Sequence, residues 1–387
     1  MVRRGTGMGG TGMTENRLAT VLDRKVPFND LSIQWQQIAV DVRQDFEMIF
    51  EQSAFCLGPF VERFEADIAQ YLGVRHAIGV NSGTSALHLA ALAKGIGPGD
   101  EVIVPAHSFI ATLWGVLYAG ATPVFCDVEP TTGNLDVAAA ERCVTAATKA
   151  IIPVHLYGQS ANMKAVMELA QRFGLAVIED AAQAIGATWQ QRYLGSIGDL
   201  GCFSFYPGKN LGAAGEAGLI VTNDDDVAKQ VRSLRNHGQS ERYVHQIVGY
   251  NCRMDGLQGA VLRRKLPRLA AWTASRRKLA ERYRQKLLET PLVLPSVQYG
   301  EHVWHLFVVR TPERDRLRAA LAERRIETGL HYPIALHKQP CLNHLPSAKL
   351  SFPSAEAWAA ECLSLPLFTG MTEDQVDYVA DAIRALC

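Results

Sequence analysis

Between about residue 77 and residue 235, short apolar runs alternate with stretches that have a helical pattern. A strand that is apolar throughout is buried on both faces, and a helix between successive strands allows them to pair in parallel. The alternation therefore predicts an α/β fold, with a mostly parallel sheet covered by helices on both faces. Ligands collect at the carboxyl ends of the strands in such sheets, so the polar segments there are the first candidates for function. The apolar runs are AIGV, DEVIVPA, ATPVFCDVE, AIIPVHLYG, LAVIEDAAQ, GCFSFYP and AGLIVTN.

The segments on either side divide the chain into three predicted parts. The opening sequence MVRRGTGMGGTGMTEN has glycines and two arginines but no apolar core of the kind that a signal peptide needs. Beyond residue 255 the pattern changes to long helices, with VWHLFVVR as a predicted strand. We therefore expect a flexible tail at residues 1–25, a large domain at 26–262 and a smaller α+β domain at 263–387.

Composition excludes several classes of protein. The 387 residues contain 39 Lys+Arg and 39 Asp+Glu, and this balance argues against a protein that coats nucleic acid or an anionic membrane. No segment reaches the roughly 18 consecutive apolar residues of a membrane span. The eight cysteines form no CxxC pair, which is typical of reduced thiols in the cytoplasm. We expect a cytoplasmic protein without a nucleic-acid or membrane partner.

The segment NSGTSAL lies where the first predicted strand gives way to a helix. A helix start offers free backbone N–H groups and the positive end of the helix dipole, and Gly83 lets the backbone approach an anion closely. With Thr84 and Ser85, this segment is a candidate phosphate cradle. The alternative is an ordinary Ser/Thr helix cap.

Two acidic residues, Glu179 and Asp180, end the apolar run in AVIEDAAQ. The carboxylate of Asp180 can bind a metal, act as a base or pair with a ring nitrogen, or it can simply cap the next helix. Strand alternation places Glu179 on the opposite face.

Lys209 lies in the glycine-rich sequence CFSFYPGKNLGAAGEAG, just after an apolar strand. A lysine that is partly removed from water has a lowered pKa and becomes a nucleophile toward carbonyl groups. An isolated lysine is more commonly a solvated surface charge. Further along, Asn251 and Arg253 stand beside a helix start, where the arginine could hold a carboxylate or phosphate or form a surface ion pair.

Taken together and in this order, these segments resemble the DegT/DnrJ/EryC1/StrS family of pyridoxal-phosphate-dependent sugar aminotransferases. The resemblance runs from about residue 26 to the carboxyl terminus. It implies the fold of type I aminotransferases, with a mainly parallel seven-stranded sheet, a smaller carboxyl-terminal domain and a homodimer with shared active sites. The segments that carry it are LGPFVERFE, NSGTSAL, VPAHSFIAT, GATPVFCDV, PVHLYG, EDAAQAIGA, FSFYPGKNLGAAGEAG, RNHG, GYNCRMD, LHYPIALHKQP and LSLPLF.

The resemblance also implies a role for each candidate residue. Lys209 would bind the cofactor covalently and move the proton between substrate and cofactor, and Asp180 would pair with the pyridinium nitrogen. Gln183 would contact the ring hydroxyl, and Phe109 would stack on the ring. The cofactor phosphate would be bound by Gly83, Thr84, Ser85 and Ser204, and by Asn251 of the neighbouring subunit.

The same resemblance names the substrates. An amino acid, with L-glutamate expected, would convert pyridoxal phosphate to pyridoxamine phosphate, and a nucleotide-linked keto sugar would then accept the amino group. The loop sequence PGKNLGAAGEAG is closest to enzymes that act on dTDP-linked 3-keto-6-deoxyhexoses. Relatives that dehydrate sugars have histidine where this chain has Lys209, which favours transamination. The alternatives are an aminocyclitol or 4-position aminotransferase, a sugar dehydratase, and a non-enzymatic sensor that binds the cofactor.

Two features remain open. His331, Tyr332 and His337 resemble the substrate-side loop of the family and are candidate substrate contacts, whereas nothing nearby completes a metal site. The stretch from Arg263 to Lys286 contains ten Lys+Arg and one acid, so it is either a solvated helix face or a surface that attracts the substrate's diphosphate.

Overall fold

The computed structural model describes residues 25–387, so the predicted tail lies outside the described part except for its last residue. The strands of this part follow one another in chain order. They are β1 (His76–Val80), β2 (Glu101–Pro105), β3 (Thr122–Cys126), β4 (Thr148–Ile151), β5 (Ala176–Asp180), β6 (Thr188–Trp189), β7 (Arg192–Tyr193), β8 (Leu200–Ser204), β9 (Gly218–Thr222), β10 (Gln239–Glu241), β11 (Val244–His245), β12 (Phe307–Arg310) and β13 (Cys362–Leu365).

Seven of these strands form one sheet, in the order β1-β9-β8-β5-β4-β2-β3. The strands from β8 through β5, β4 and β2 to β3 pair in parallel. Only β9 is antiparallel to its two neighbours, which leaves β1 running in the same direction as β8. The predicted mainly parallel seven-stranded sheet is confirmed.

The helices connect the strands and cover the sheet. In chain order they are α1 (Ser32–Gln36), α2 (Ala39–Gln52), α3 (Pro59–Leu72), α4 (Gly83–Ala93), α5 (Ile110–Tyr118), α6 (Val137–Arg142), α7 (Met163–Phe173), α8 (Asp225–Arg235), α9 (Gly256–Lys265), α10 (Leu269–Leu287), α11 (Arg314–Glu323), α12 (Pro353–Glu361) and α13 (Glu373–Arg384). Several begin where a polar side chain accepts a backbone N–H, as at Asp136, Asn162 and Asp224. These caps explain why the sequence starts helices at those residues.

Each face of the sheet carries its own apolar core. On one face the buried side chains of α4, α5 and α8 pack against inward residues such as Ile78 and Ile178. On the other face those of α3, α6 and α7 pack against residues such as Ile151 and Val177. Alternate residues of one strand therefore enter different cores, as the fully apolar strands predict.

The carboxyl-terminal part has a third core. It is built from α10, α11 and α13 and from the antiparallel pair β12–β13, and Val26 from the start of the described chain also belongs to it. The predicted domain boundary between residues 262 and 263 falls inside α9. The division into domains remains a prediction.

The predicted strand VWHLFVVR is shorter in the structure, where β12 begins only at Phe307. The preceding residues instead bond to another loop: Val303 donates its N–H to the Gly158 carbonyl at 2.9 Å, and Leu306 donates to the Tyr157 carbonyl at 3.3 Å. Trp304 adopts a left-handed backbone conformation between them, with φ at 50°. Contacts with a distant loop thus override the local strand pattern.

Two further properties concern the molecule as a whole. Among the helices of residues 25–387, none combines the length and the apolar character that crossing a bilayer requires. The eight cysteines of the chain are all free thiols.

Candidate active site

Most of the predicted cofactor-binding residues follow strands that point in the same direction. Asp180 ends β5 and Ser204 ends β8, while the helix that begins at Gly83 follows β1. Because β1, β5 and β8 run the same way, their carboxyl ends meet at one edge of the sheet. Lys209 lies in the loop that follows β8 at this edge.

The start of α4 touches the end of β8 closely enough to form a cradle. A Cβ atom added to Gly83 would lie 2.6 Å from the Cβ of Ser204, and one added to Gly218 would lie 2.3 Å from the carbonyl carbon of Ser82. The first N–H groups of a helix have no intrahelical acceptor. Those of Gly83 and Thr84 therefore remain for a ligand beside the Ser204 hydroxyl, which fits an anion such as a phosphate.

The helix-cap interpretation holds for one residue of this segment. Ser82 is the N-cap of α4, and its hydroxyl oxygen accepts the Ser85 N–H at 3.1 Å and lies 3.0 Å from the Ser85 hydroxyl. The cap and the cradle are compatible, because the cap uses the N–H of Ser85 and leaves the two preceding N–H groups free of it.

Asp180 is buried, with 5% of its surface exposed. Its Oδ2 accepts the hydroxyl of Thr112 at 2.7 Å, and its Oδ1 accepts the N–H of Ala182 at 3.2 Å. Burial raises the pKa of Asp180, although the bond from Thr112 works in the opposite direction. A buried carboxylate with this raised pKa gains from a cationic partner such as a protonated ring nitrogen.

The adjacent Glu179 has different contacts. Its two oxygens accept backbone N–H groups from Gly195, Ile197 and Gly198 and bond the Nε2 of His155 at 2.9 Å. Burial acts to raise the pKa of Glu179, but these bonds hold it below its usual value. Glu179 is therefore a structural anion that fixes the loop between β7 and β8.

Lys209 has the electrostatic properties of a nucleophilic lysine. Burial lowers its pKa to about 8, and the nearby carboxylate of Asp180 limits that decrease. At neutral pH a much larger fraction of this amine is unprotonated than in a solvated lysine, whose pKa is about 10.4. A neutral amine is the form that attacks a carbonyl carbon.

Gln183 joins the sheet edge to the loop that carries His331 and Tyr332. Its Oε1 accepts the N–H of Tyr157 at 2.6 Å, and its Nε2 donates to the Tyr332 hydroxyl at 3.0 Å. The second N–H of Nε2 is left for a ligand. Phe109 lies on the same side, with its ring 5.3 Å from that of Tyr332 and 49% of its surface exposed.

The other three predicted residues, His331, His337 and Asn251, have different surroundings from one another. His331 stacks on Phe28 and bonds the Ser364 hydroxyl at 2.8 Å, and it belongs to the Tyr332 loop. His337 is buried and bonds Glu356 at 3.0 Å, and this partner is not a predicted site residue. Asn251 is exposed and pairs with Asn236 in an isolated bridge.

Two residues near the predicted ones, Thr112 and His305, are not among the site candidates that we predict from the sequence. Thr112 holds Asp180 from the first turns of α5, and a threonine in an apolar helix gives no local sign of that contact. His305 bonds the side chain of Asn210 at 3.2 Å, and burial together with the charge of Lys209 lowers its pKa well below the usual value. His305 comes near Lys209 because β12 begins only at Phe307 and the residues before it leave the predicted strand.

The whole of this arrangement lies within one matched region. A family model described as the DegT/DnrJ/EryC1/StrS aminotransferase family matches residues 36–384. The chain belongs to this family. It is therefore an enzyme of the aminotransferase class, as the sequence segments predict.

Three curated relatives show the range of names in the DegT/DnrJ/EryC1/StrS family. The Geobacillus stearothermophilus "pleiotropic regulatory protein" is 46% identical over 92% of this chain and 97% of its own. An Acidithiobacillus ferrooxidans UDP-N-acetyl-3-dehydro-alpha-D-glucosamine 3-aminotransferase is 44% identical, over 93% and 97%. A Streptomyces venezuelae dTDP-3-amino-3,4,6-trideoxy-alpha-D-glucose transaminase is 42% identical, over 93% and 96%.

A solved structure agrees with the fold. The crystal structure described as S. venezuelae DesV in complex with a ketimine intermediate superposes with a TM-score of 0.91. It has 42% sequence identity and covers 94% of this chain and 98% of its own. The likeness extends over both the sheet and the carboxyl-terminal core.

Proposed function

We propose that this enzyme uses pyridoxal phosphate to transfer an amino group from an amino acid, with L-glutamate as the expected donor, to the keto group of a nucleotide-linked sugar. The observation that carries the proposal is the meeting of Lys209, Asp180 and the Gly83–Ser204 cradle at one edge of the sheet. A reactive amine, a buried carboxylate and an anion cradle match the aldehyde, the ring nitrogen and the phosphate of this cofactor.

Each residue around the cofactor has one task. The N–H groups of Gly83 and Thr84 and the hydroxyls of Ser85 and Ser204 bind the phosphate. Asp180 holds a proton on the ring nitrogen, since its carboxylate is fixed by Thr112 and gains from a cationic partner. The free N–H of Gln183 reaches the ring hydroxyl, and the exposed face of Phe109 covers the ring.

Lys209 performs the proton transfer. When bound, the cofactor supplies an electron sink that stabilises negative charge on the substrate carbon. The Nζ of Lys209 would hold the cofactor, and the same amine, once free, would take a proton from the substrate carbon and return it. A lysine whose pKa lies near 8 accepts and returns a proton at neutral pH more readily than one with an ordinary pKa.

The substrate follows from the relatives and from the loop sequence. The names of two of the three relatives specify an amino group at carbon 3 of a nucleotide sugar, one linked to UDP and one to dTDP. With the PGKNLGAAGEAG loop, we infer a 3-keto sugar, with a dTDP-linked 6-deoxyhexose as the first candidate. Pyridoxamine phosphate is the form of the cofactor between the two half-reactions.

Two copies of the chain would complete the site. Asn251 is exposed and pairs with Asn236, and the family resemblance assigns this residue to the phosphate of the neighbouring subunit, so we infer that it binds the phosphate held by a second subunit. The enzyme would then be a homodimer, in keeping with the preference of soluble oligomers for twofold symmetry. We retain the predicted large and small domains as part of this proposal.

One relative's name favours a second candidate, a cofactor-binding regulator without turnover. One experiment distinguishes the aminotransferase from the regulator. The protein loaded with pyridoxal phosphate is mixed with L-glutamate while the cofactor's absorbance is followed. A panel of dTDP-, UDP- and GDP-linked keto sugars, including 4-keto sugars and a keto-cyclitol, is then added.

Glutamate is expected to shift the absorbance, and a 3-keto sugar is expected to restore it with formation of an amino sugar. Lys209→Ala should lose both responses, whereas Lys164→Ala, which changes an exposed lysine paired with Glu168, should keep them. Absence of any shift with glutamate, or turnover by Lys209→Ala, contradicts the aminotransferase proposal. A shift that no sugar reverses favours the regulator, and release of a dehydrated sugar favours a dehydratase.

A further inference from the structure

The side chain of Tyr157 connects the two sides of the candidate site. Tyr157 lies in the short 3₁₀ turn Leu156–Gly158, and 3% of its surface is exposed. Its hydroxyl contacts His107 Nε2 at 2.9 Å and also bonds the backbone carbonyl oxygen of His331. His107 follows β2, close to Phe109, whereas His331 belongs to the substrate-side loop.

The direction of these two hydrogen bonds can be assigned. A carbonyl oxygen only accepts, so the hydroxyl proton of Tyr157 goes to His331. The hydroxyl oxygen must then accept the N–H of His107 Nε2. Burial and the charge of Arg310 lower the pKa of His107 to about 3, so the ring stays neutral and its proton stays on Nε2. The assignment agrees with Nδ1 of His107, which is buried and has no partner among the described atoms.

The backbone of Tyr157 holds the cofactor side of the site separately. Its N–H donates to Gln183 Oε1 at 2.6 Å, and Gln183 in turn donates to the Tyr332 hydroxyl. The residue adopts φ of 60°, a left-handed conformation that is unfavourable for a residue with a large side chain. Such a conformation persists where the surroundings fix it, and here the backbone N–H and the side-chain hydroxyl of Tyr157 are both hydrogen-bonded.

We propose that Tyr157 is a positioning residue: its hydroxyl, oriented by His107, fixes the His331–Tyr332 segment against Gln183 and so shapes the surface that the keto sugar meets. The inference rests on the proposed function for the identity of the substrate. The hydrogen bonds that support the inference join residues of this chain and involve neither substrate nor cofactor. The aromatic hydroxyl is the group to remove, because the backbone bond to Gln183 survives its loss.

The experiment compares Tyr157→Phe with a matched control. Tyr283→Phe removes another buried hydroxyl, one that has no hydrogen-bond partner among the described atoms and lies in the carboxyl-terminal core. Amide hydrogen exchange is measured by mass spectrometry on the wild type and on both variants. A peptide that contains His331 and Tyr332 reports on the segment.

We expect exchange in that peptide to be several-fold faster in Tyr157→Phe and unchanged in Tyr283→Phe. The KM for the keto sugar should rise about 3- to 10-fold, as for the loss of one hydrogen bond, whereas the affinity for pyridoxal phosphate should not change. His107→Phe keeps a ring against Trp358 and removes the Nε2 donor, so it should increase exchange in the same peptide to a smaller extent.

Unchanged exchange in Tyr157→Phe would overturn the proposal, and so would faster exchange with an unchanged KM. A weakened affinity for the cofactor would also overturn it, because the hydroxyl would then serve the cofactor side. If the wild type converts no keto sugar, the proposed function fails, and the exchange comparison still decides whether Tyr157 holds the segment.

Discussion

Glu179 and Asp180 are chemically similar neighbours that the fold uses in opposite ways. The four groups that surround Glu179 are all donors, three backbone N–H groups and His155, so its charge is satisfied within the protein. Among residues 25–387, the side chain of Asp180 accepts hydrogen bonds from Thr112 and Ala182 alone, so it keeps capacity to pair with a ligand. Strand alternation predicts that the two face different ways, but only the contacts show which of them is satisfied.

This difference predicts distinct effects for two amide substitutions. Glu179→Gln places an NH₂ group against backbone donors and should lower the free energy of unfolding by about 3 kcal/mol. Asp180→Asn keeps the shape of the side chain and should lower kcat at least about 100-fold with little loss of stability. Chemical denaturation and steady-state kinetics on both variants test the contrast. Equal effects of the two substitutions on stability and on kcat would show that the two acids do not differ in role.

Lys209 determines a pH dependence whose sign can be worked out. A lysine must lose its proton before it attacks the cofactor's aldehyde, so the rate of covalent attachment rises with pH and levels off above the pKa of about 8. At pH 7.5 the lysine is neutral in about one quarter of the molecules, against about one in a thousand for an ordinary pKa of about 10.4. Stopped-flow absorbance during reconstitution of the cofactor-free enzyme measures this profile. A rate that still increases tenfold per pH unit above pH 9 would contradict the lowered pKa.

At the scale of elements, the start of α4 depends on the absence of a side chain. The helix can approach β8 because residue 83 is glycine, and the approach brings its free N–H groups to the Ser204 hydroxyl. The sequence NSGTSAL predicts a helix start there, and the structure adds the second wall of the cradle. The sequence around Gly83 does not predict this second side of the cradle, since Ser204 lies more than a hundred residues further along the chain.

Gly83→Ala should therefore open the cradle. Its new Cβ would lie 2.6 Å from that of Ser204, so the helix must shift, and we expect the affinity for pyridoxal phosphate to fall about tenfold or more. Gly97→Ala is the control, because its Cβ would meet nothing closer than 3.8 Å. Equilibrium titration with the cofactor compares the two variants. Equal affinities would mean that the phosphate lies elsewhere.

The basic stretch of α9 and α10 is a second case in which contacts decide. Arg263 and Arg264 pair with Asp67 and Asp45, and Arg282 binds Asp377 and Glu373. Lys265 and Arg276 are buried and donate to backbone carbonyl groups. These cations hold elements together, which does not support the alternative that the stretch attracts a diphosphate.

At the scale of the whole molecule, exposed apolar side chains mark a surface suited to a second copy. The hairpin β10–β11 and the loop after it leave Tyr243 and Val248 with 79% and 86% of their surfaces exposed. This segment leads directly to Asn251. Exposed apolar groups beside a proposed intersubunit residue agree with the proposed homodimer.

Mixing two inactive variants tests the shared site. Lys209→Ala and Asn251→Ala each remove one half of a site that two subunits would build together. After unfolding and refolding a 1:1 mixture, half of the dimers are mixed and each contains one intact site, so about a quarter of the wild-type activity should return. Sedimentation of the refolded mixture measures whether it is dimeric. Recovery no greater than the sum of the separate variants would contradict a site shared between subunits.

The class of fold and the residues that supply the chemistry of the site follow from the amino-acid pattern alone. The apolar strands specify a sheet buried on both faces, and the position of Lys209, Asp180 and Gly83 after three of those strands places them at one edge, because parallel strands share their carboxyl ends. Both follow from the local pattern of apolar residues and from the right-handed connection that links parallel strands.

The support of the site depends on contacts that form only in the folded chain. Thr112 on Asp180, His305 near Lys209 and Tyr157 between His107 and His331 are contacts between residues far apart in the chain. The late start of β12 belongs with them, since the residues before Phe307 bond to the loop at Gly158 instead of extending the strand. Such contacts depend on packing geometry that no single segment encodes. In the same way, the pKa of Lys209 is set by burial and by the nearby charge of Asp180, and both arise only once the chain has folded.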